Sequence, residues 1–332
     1  MLKGKKVLVT GGAGFIGSHT VEQLLKAGAT VTVLDNFRTG LQENIDSFEN
    51  DIQFIKGSIL ESGDLTKAAK GQDLICHLAA QLEITRALDD PVEDLLTNTV
   101  GTLNVMKAAV TAQIPKIVMA SSAGVYGQAV EIPQREDTHP TNPNWAYGVS
   151  KLATEKYAAI FQEANGLNIT SLRYGIVYGP REWYGRVLTI FLKQVLEGKP
   201  LVVFGDGKQV RDFVNVHDVA RMNLMCLDDQ RANNQIFNVS TSKGTDINTL
   251  AELAKKVSGM EVEIIHEDVK EGEKSQYSER IRLPQELKEL LQSYEKAEKL
   301  LGWKPEVNFE DGLREEYEWL SRNPERWQKM NY

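Results

Sequence analysis

From Val7 to Arg173, short apolar runs bounded by polar turns alternate with stretches whose apolar residues recur at helical spacing. The apolar runs lie at 7–9, 30–34, 52–55, 73–78, 116–120 and 168–173. The first helical stretch carries Phe15, Ile16, Val21, Leu24 and Leu25 and closes at Gly28, and others follow at 64–70, 91–112 and 147–165. This alternation predicts an α/β fold, a doubly wound parallel sheet covered on both faces. After Gly179-Pro180 the order becomes mixed, with helices expected at 187–196, 216–227 and 247–258 and strands at 200–204, 235–239 and 262–265. A polar stretch from His266 to Arg280 then precedes terminal helices from Gln285. The mixed half predicts a smaller α/β C-terminal domain, dividing the chain into 1–176 and 177–332, with a segment of about 211–240 returning to the first sheet.

The helix expected at 91–112 has a defined start: Asp90 caps it, Pro91 suits the first turn and Glu93 completes a capping-box-like pattern. Leu95, Leu96, Val100, Leu103, Val105 and Met106 give it more apolar surface than one sheet face needs. Such a helix is either buried all round or part of a subunit contact.

Composition narrows the class. At 332 residues and 42% hydrophobic the chain can bury a large core, and a net charge of −8 argues against nucleic acid or an anionic membrane as partner. Local arginines can still hold a small phosphate-bearing ligand. Cys76 and Cys226 lie in apolar segments and read as reduced, buried thiols, and the five histidines show no metal-ligand spacing. The first residues pass into a core strand without a charged-then-apolar leader, and no apolar run approaches the ~20 residues of a membrane span. The expected location is cytoplasmic.

Val7 to Ser18 supplies the first chemistry: a strand that breaks into a glycine turn and then a helix. Gly12, Gly14 and Gly17 satisfy G-x-G-x-x-G, and Gly11, Gly14 and Gly17 satisfy G-x-x-G-x-x-G. Such glycines allow positive φ, close approach of backbone to a pyrophosphate and tight helix–strand packing, as in a Rossmann dinucleotide site. Asp35 ends the second strand 18 residues past Gly17, near the ~20 expected for the acid that binds the adenosine ribose. A carboxylate there favours NAD over NADP, with Arg38 nearby as the opposing charge.

Tyr147 and Lys151 stand four apart on a helix, hence on one face, and the strand at 116–120 runs into Ser121-Ser122. A cation beside a phenol is expected to lower its pKa from ~10, making it a usable base. Tyr147 could then take a proton from a sugar hydroxyl while a serine hydrogen-bonds the same oxygen.

Several ordered motifs carry a family resemblance: Gly-Gly-Ala-Gly-Phe-Ile-Gly from Gly11, His77-Leu78-Ala79-Ala80, Asn98, Ser121 to Gly127, Tyr147 to Lys151, Gly205-Asp206-Gly207 with Arg211-Asp212-Phe213, and Leu301 to Pro305. The chain resembles the extended short-chain dehydrogenase/reductase family, in its NAD-dependent nucleotide-sugar epimerase/dehydratase branch. The resemblance implies Tyr147 as base, Lys151 on the nicotinamide ribose and tuning Tyr147, and Ser122 on the reacting oxygen. It implies NAD contacts from Gly11, Gly14, Phe15, Ile16, Gly17, Asp35, Asn36, Ser58, Ile59, Leu78, Ala79, Ala80, Asn98, Tyr147 and Lys151. His77 and Asn98 are expected to shape the cofactor pocket. Ser122, Ala123 and Tyr147 are expected at the sugar, and Arg211, with Arg280 or Arg282, at its diphosphate. A homodimer through the helices at 91–112 and 147–165 is also implied.

Departures from the family pattern point to a reaction. Dehydratases of this branch carry Asp-Glu after the Ser/Thr and decarboxylases a Glu, whereas this chain has Ala123 and Gly124, which exchange no protons. The expectation is a 4-epimerase, UDP-hexose being the favoured substrate, that retains NAD through C4 oxidation and re-reduction. A 4-ketosugar reductase or nucleotide-sugar dehydrogenase is the alternative, and a non-catalytic dinucleotide sensor the third reading. Ser58 and Ile176 replace the usual adenine-binding Asp and diphosphate-binding Asn. Glu182 to Arg186 is an unusual insertion whose Trp183 reads either as an ordinary half-buried aromatic or, the favoured reading, as packing on an altered sugar or base.

Overall fold

In the computed structural model, which describes residues 1–182, 185–278, 280–282 and 287–327, the apolar runs of the first half become strands, the inner ones buried on both faces and the edge strand Ile52–Lys56 partly exposed. They are β1 (Lys6–Thr10), β2 (Thr30–Asp35), β3 (Ile52–Lys56), β4 (Leu74–His77), β5 (Lys116–Ser122) and β6 (Asn168–Tyr174). Successive side chains point to opposite faces. Val7, Val9, Val31, Val33 and Val118 enter one apolar core, while Leu8, Leu34, Ile75, Ile117 and Met119 enter the other.

The helices that cover these faces are α1 (Phe15–Lys26), α2 (Ser62–Ala69), α3 (Ile84–Asp89), α4 (Pro91–Asp94), α5 (Gly101–Thr111) and α6 (Ala146–Asn165). The helix expected at 91–112 is interrupted: a wider π-type stretch, Leu95–Val100, joins α4 to α5. Asp90 does cap its start, accepting from Glu93 N at 2.9 Å. The Glu93 carboxylate, instead of closing a capping box, pairs with Arg38 and Arg86.

The second half supplies β7 (Ile176–Tyr178), α7 (Val187–Leu196), β8 (Leu201–Phe204), β9 (Val210–Asn215), α8 (Val216–Asp228), β10 (Ile236–Val239), β11 (Gly244–Asp246), α9 (Ile247–Ser258), β12 (Ile264–Glu267), β13 (Glu289–Leu290), α10 (Glu295–Leu301) and α11 (Phe309–Arg322). β10 lies parallel to β6, giving a seven-stranded sheet in the order β10-β6-β5-β4-β1-β2-β3, every neighbouring pair parallel. Within 211–240, α8 and β10 thus join the large sheet and its core, whereas β9 pairs with β7, β11 and β13 in a small second sheet. That sheet, α7, α9 and α11 enclose a separate apolar core built on Phe191, Phe213, Leu250 and Leu313. Gln285, where terminal helices were expected to begin, lies outside the described residues.

The chain runs outward from β1 to β3 and then crosses to β4 on the other side of β1. Strand order therefore reverses between β1 and β4, where Thr10 registers with His77. A crevice forms outside the carboxyl ends of strands at such a reversal. No described helix is long and apolar enough to cross a membrane, and no described cluster of His, Cys, Asp and Glu could hold a metal ion. Cys76 and Cys226 are buried and unpaired by disulfide, and burial pushes both thiols up.

Candidate active site

The crevice is a cavity of about 460 Å³ that runs from Asp35, past the ends of β1, β4 and β5, to Arg211 and Arg280. Its first wall is the glycine turn. Gly11 has φ 73°, and a Cβ on it would stand 2.7 Å from Ala79 N; a Cβ on Gly17 would overlap Gly11 O. No side chain caps α1 at Gly14, so the N–H groups of its first turn, beside the lining residues Phe15, Ile16 and Gly17, can receive a phosphate. Asp35 closes β2 against the cavity. Its carboxylate accepts from Ala13 N at 3.0 Å and Phe37 N at 2.8 Å, while burial pushes its pKa up. Asn36, Ser58, Ile59, Leu78, Ala79 and Ala80 complete this end. The cradle fits NAD: backbone donors for pyrophosphate, a carboxylate for ribose and no room for side chains at the turn.

Two expected contacts lie elsewhere. Asn98 is fully buried behind the wall, its amide engaged by both backbone groups of Gln81 and by Asp94, so it supports the lining residue Gln81 without reaching the cavity. Arg282 donates to Val269 O and does not line the cavity, whereas Arg280 does, its guanidinium 4.5 Å from the Phe204 ring centroid. His77 is held between Thr10 at 2.7 Å and Thr102 at 2.9 Å, and burial pushes it down to about 3, leaving a neutral buttress behind the wall.

Ser122, Tyr147 and Lys151 meet at the middle of the cavity. Ser122 ends β5, where its Oγ accepts from Gly124 N at 3.0 Å and hydrogen-bonds the Tyr147 hydroxyl. α6 can bring Tyr147 this close because residue 148 is glycine: a Cβ there would stand 2.5 Å from Gly124 O. Lys151 Nζ donates to Ala120 O at 3.0 Å and lies 5.8 Å from the Tyr147 ring centroid.

The expected lowering of the phenol by Lys151 does not hold in the protein alone. Burial pushes Tyr147 up to about 12, against a lowering influence from Arg186 and the Ser122 hydrogen bond. Lys151 itself is pushed down by burial to about 8. Desolvation by burial is the largest influence on both groups.

At the far end the lining includes Ile176, Arg211, Leu287 and Leu290, and Arg211 Nη1 donates to Val210 O at 3.0 Å. Within the insertion, Trp183 and Tyr184 lie outside the described residues, but Glu182, Gly185 and Arg186 line the cavity. Trp145 is a cavity residue that sequence reasoning passed over, and Arg186, named there only as part of the insertion, also lines the cavity. Asp94, four residues before Asn98 and so on its helical face, is a second residue beside the site that went unread; that spacing was the available signal.

The NAD dependent epimerase/dehydratase family matches residues 7–240. The UDP-glucose 4-epimerase of Mycolicibacterium smegmatis is 34% identical over 327 residues, covering 95% of this chain and 98% of that one. The UDP-N-acetyl-alpha-D-glucosaminuronate decarboxylase of Bacillus cytotoxicus is 30% identical over 323 residues, covering 95% and 98%. Among solved structures, the UDP-glucose 4-epimerase of Thermotoga maritima with UDP-glucose superposes with a TM-score of 0.87 at 33% identity, covering 96% of this chain and 99% of that one. With the glycine cradle, Asp35 and the Ser122–Tyr147–Lys151 cluster along one cavity, these likenesses show that the chain belongs to the NAD-dependent epimerase/dehydratase family and is an NAD-using enzyme of nucleotide sugars.

Proposed function

We propose that the protein is a nucleotide-sugar 4-epimerase, with UDP-hexose as the favoured substrate and NAD retained through the cycle. The observation that carries this reading is the makeup of the cavity beside Ser122. Tyr147 lies beside Ser122 and would move the proton at C4, whereas Ala123 and Gly124 offer none for a second transfer elsewhere on the ring. NAD, when bound, supplies the hydride acceptor and donor. Tyr147 would take the 4-hydroxyl proton and return it, Ser122 would hydrogen-bond the same oxygen, and Lys151 would hold its charge near the phenol to ease ionisation. Arg211 and Arg280 would bind the diphosphate, their forked donors matching its oxygens.

Residues 1–176 with 216–239 would hold NAD, and the remaining second half mainly the nucleotide sugar. The apolar surface of α4, α5 and α6 would pair with a second copy.

The test is incubation of the purified protein with UDP-, dTDP- and GDP-hexoses, following C4 configuration and NADH absorbance together. Interconversion of C4 epimers with no net NADH at steady state is expected. Steady net formation or consumption of NADH would overturn the reading in favour of a dehydrogenase or ketosugar reductase.

A further inference from the structure

Behind the catalytic pair lies a buried carboxylate that the chemistry above leaves unused. Asp94 ends α4 and is 1% exposed. One of its oxygens accepts from Asn98 Nδ2 at 2.8 Å, and the other accepts from Ser150 Oγ. Ser150 sits between Tyr147 and Lys151 on α6, and Asn98 is itself fixed by hydrogen bonds of 2.9 Å to Gln81 N and O. A buried carboxylate costs several kcal/mol unless it is paired and hydrogen-bonded, and well-packed apolar residues often serve stability as well. Asp94 and the Lys151 ammonium act on each other's charge, and the ammonium's hydrogen-bond partner, Ala120 O, is neutral.

We propose that Asp94 is a positioning residue for the reaction: clamped by Ser150 and Asn98, it fixes a negative charge beneath Tyr147 and Lys151 that keeps the ammonium charged and the phenol protonated until substrate binds. The inference rests on the reading of Tyr147 and Lys151 as the acid–base pair. Burial pushes Lys151 down and Asp94 opposes it; burial pushes Tyr147 up and Asp94 adds to it. The other charges around the cluster are accounted for. Arg186, at the start of α7, acts on Tyr147. His77 on β4 is neutral. On α4, Glu93 turns to Arg38 and to Arg86 of α3, and on α6 Glu155 turns to Arg173 of β6. Asp94 is therefore the negative charge placed to act on both catalytic groups.

The test is the titration of Lys151 in full-length protein carrying ¹³C-lysine, read by NMR and assigned with Lys151→Arg, in wild type, Asp94→Asn and Ser150→Ala. In Asp94→Asn the Lys151 midpoint is expected to fall by about one pH unit or more, and both limbs of the kcat/KM profile to move to lower pH. Ser150→Ala keeps the carboxylate charged but releases one side of its clamp, so it can move away from the ammonium and Lys151 is expected to move in the same direction by less. This variant decides the matter if Asp94→Asn does not fold. An unmoved Lys151 titration, or activity lost equally at every pH, overturns the role of Asp94. Because the titration needs no turnover, a shifted Lys151 in a protein that interconverts no C4 epimers overturns the proposed reaction and leaves the charge placement standing.

Discussion

A phenol of pKa about 12 is a poor base at neutral pH, so the chemistry of Tyr147 depends on what enters the cavity beside it. A positively charged nicotinamide ring and a bound sugar hydroxyl would both favour the phenolate, in the direction that Arg186 and Ser122 already act. Tyr147→Phe removes the proton carrier while keeping the ring, and kcat is expected to fall by about 10²–10⁴-fold, the usual share of a positioned acid–base. NAD should still be present in the purified variant, measured by release on denaturation; a variant with near-normal turnover would remove Tyr147 from the mechanism. At the other end of the cavity, Gly11→Ala sets a Cβ against the Ala79 backbone at a positive φ that only glycine adopts freely. Loss of bound NAD is the expected outcome, and full NAD content in a folded Gly11→Ala protein would move the cofactor off this turn.

Elements differed in how much of them the sequence made legible, and the reason is where their partners lie. β1, β4 and β5 were readable because they lie inside the sheet with helices on both faces, which leaves nearly continuous apolar runs, while edge strand β3 shows only Ile52, Phe54 and Ile55 between polar residues. Among the described strands β7, β11 and β13 pair only with β9; those three span two or three residues each, and what holds them is contacts between distant segments that no local pattern records. The π-type stretch at Leu95–Val100 was hidden for the same reason, since its apolar spacing passes for an ordinary helix. Asn98 read as a cofactor contact on motif position alone, but its orientation depends on Gln81 and Asp94 across the fold. A second hidden feature joins α11 to the loop before α7: Glu182 and Glu316 are buried close enough to act on one another, and burial pushes Glu182 up to about 7 and Glu316 well above the ordinary carboxylate range. Between the ordinary carboxylate range and about pH 7 the folded chain thus holds protons that the unfolded chain has released, so stability falls as pH rises through that window. Glu316→Gln removes one of the two acids and should flatten that decline, so that Tm at pH 8 rises by about 2–4 °C for each kcal/mol recovered. Parallel pH dependence of Tm in variant and wild type would show that the pair does not control it.

For the molecule as a whole, the outstanding feature is an apolar face that its own fold does not cover. Val92, Leu95 and Leu96 on the α4–α5 helix lie 61%, 50% and 44% exposed, and Val149 and Ile160 on α6 lie 54% and 56% exposed. The same helices turn Lys151 toward the cavity and bury Asp94 and Ser150 behind it, so the face is the outer side of the elements that carry the catalytic groups. Burying apolar surface contributes roughly 25 cal/mol per Å², and several large side chains exposed on adjoining helices favour association over a solvated monomer. A second copy of this chain, pairing helix against helix about a two-fold axis, is the occupant we propose, because a self-complementary contact covers both faces at once. Light scattering during gel filtration should give twice the 37.1 kDa chain mass for wild type. Leu95→Glu with Ile160→Glu places a charge on each helix and should yield monomers. In those monomers α4 and α6 lose a packing neighbour on their outer side, and the Asp94–Ser150 clamp between them is expected to loosen, so kcat should fall while the NAD content set by the distant glycine turn persists. A wild-type protein that elutes as a monomer at every concentration tested would overturn the pairing, and monomeric variants with unchanged kcat would show that the catalytic helices hold their positions unaided.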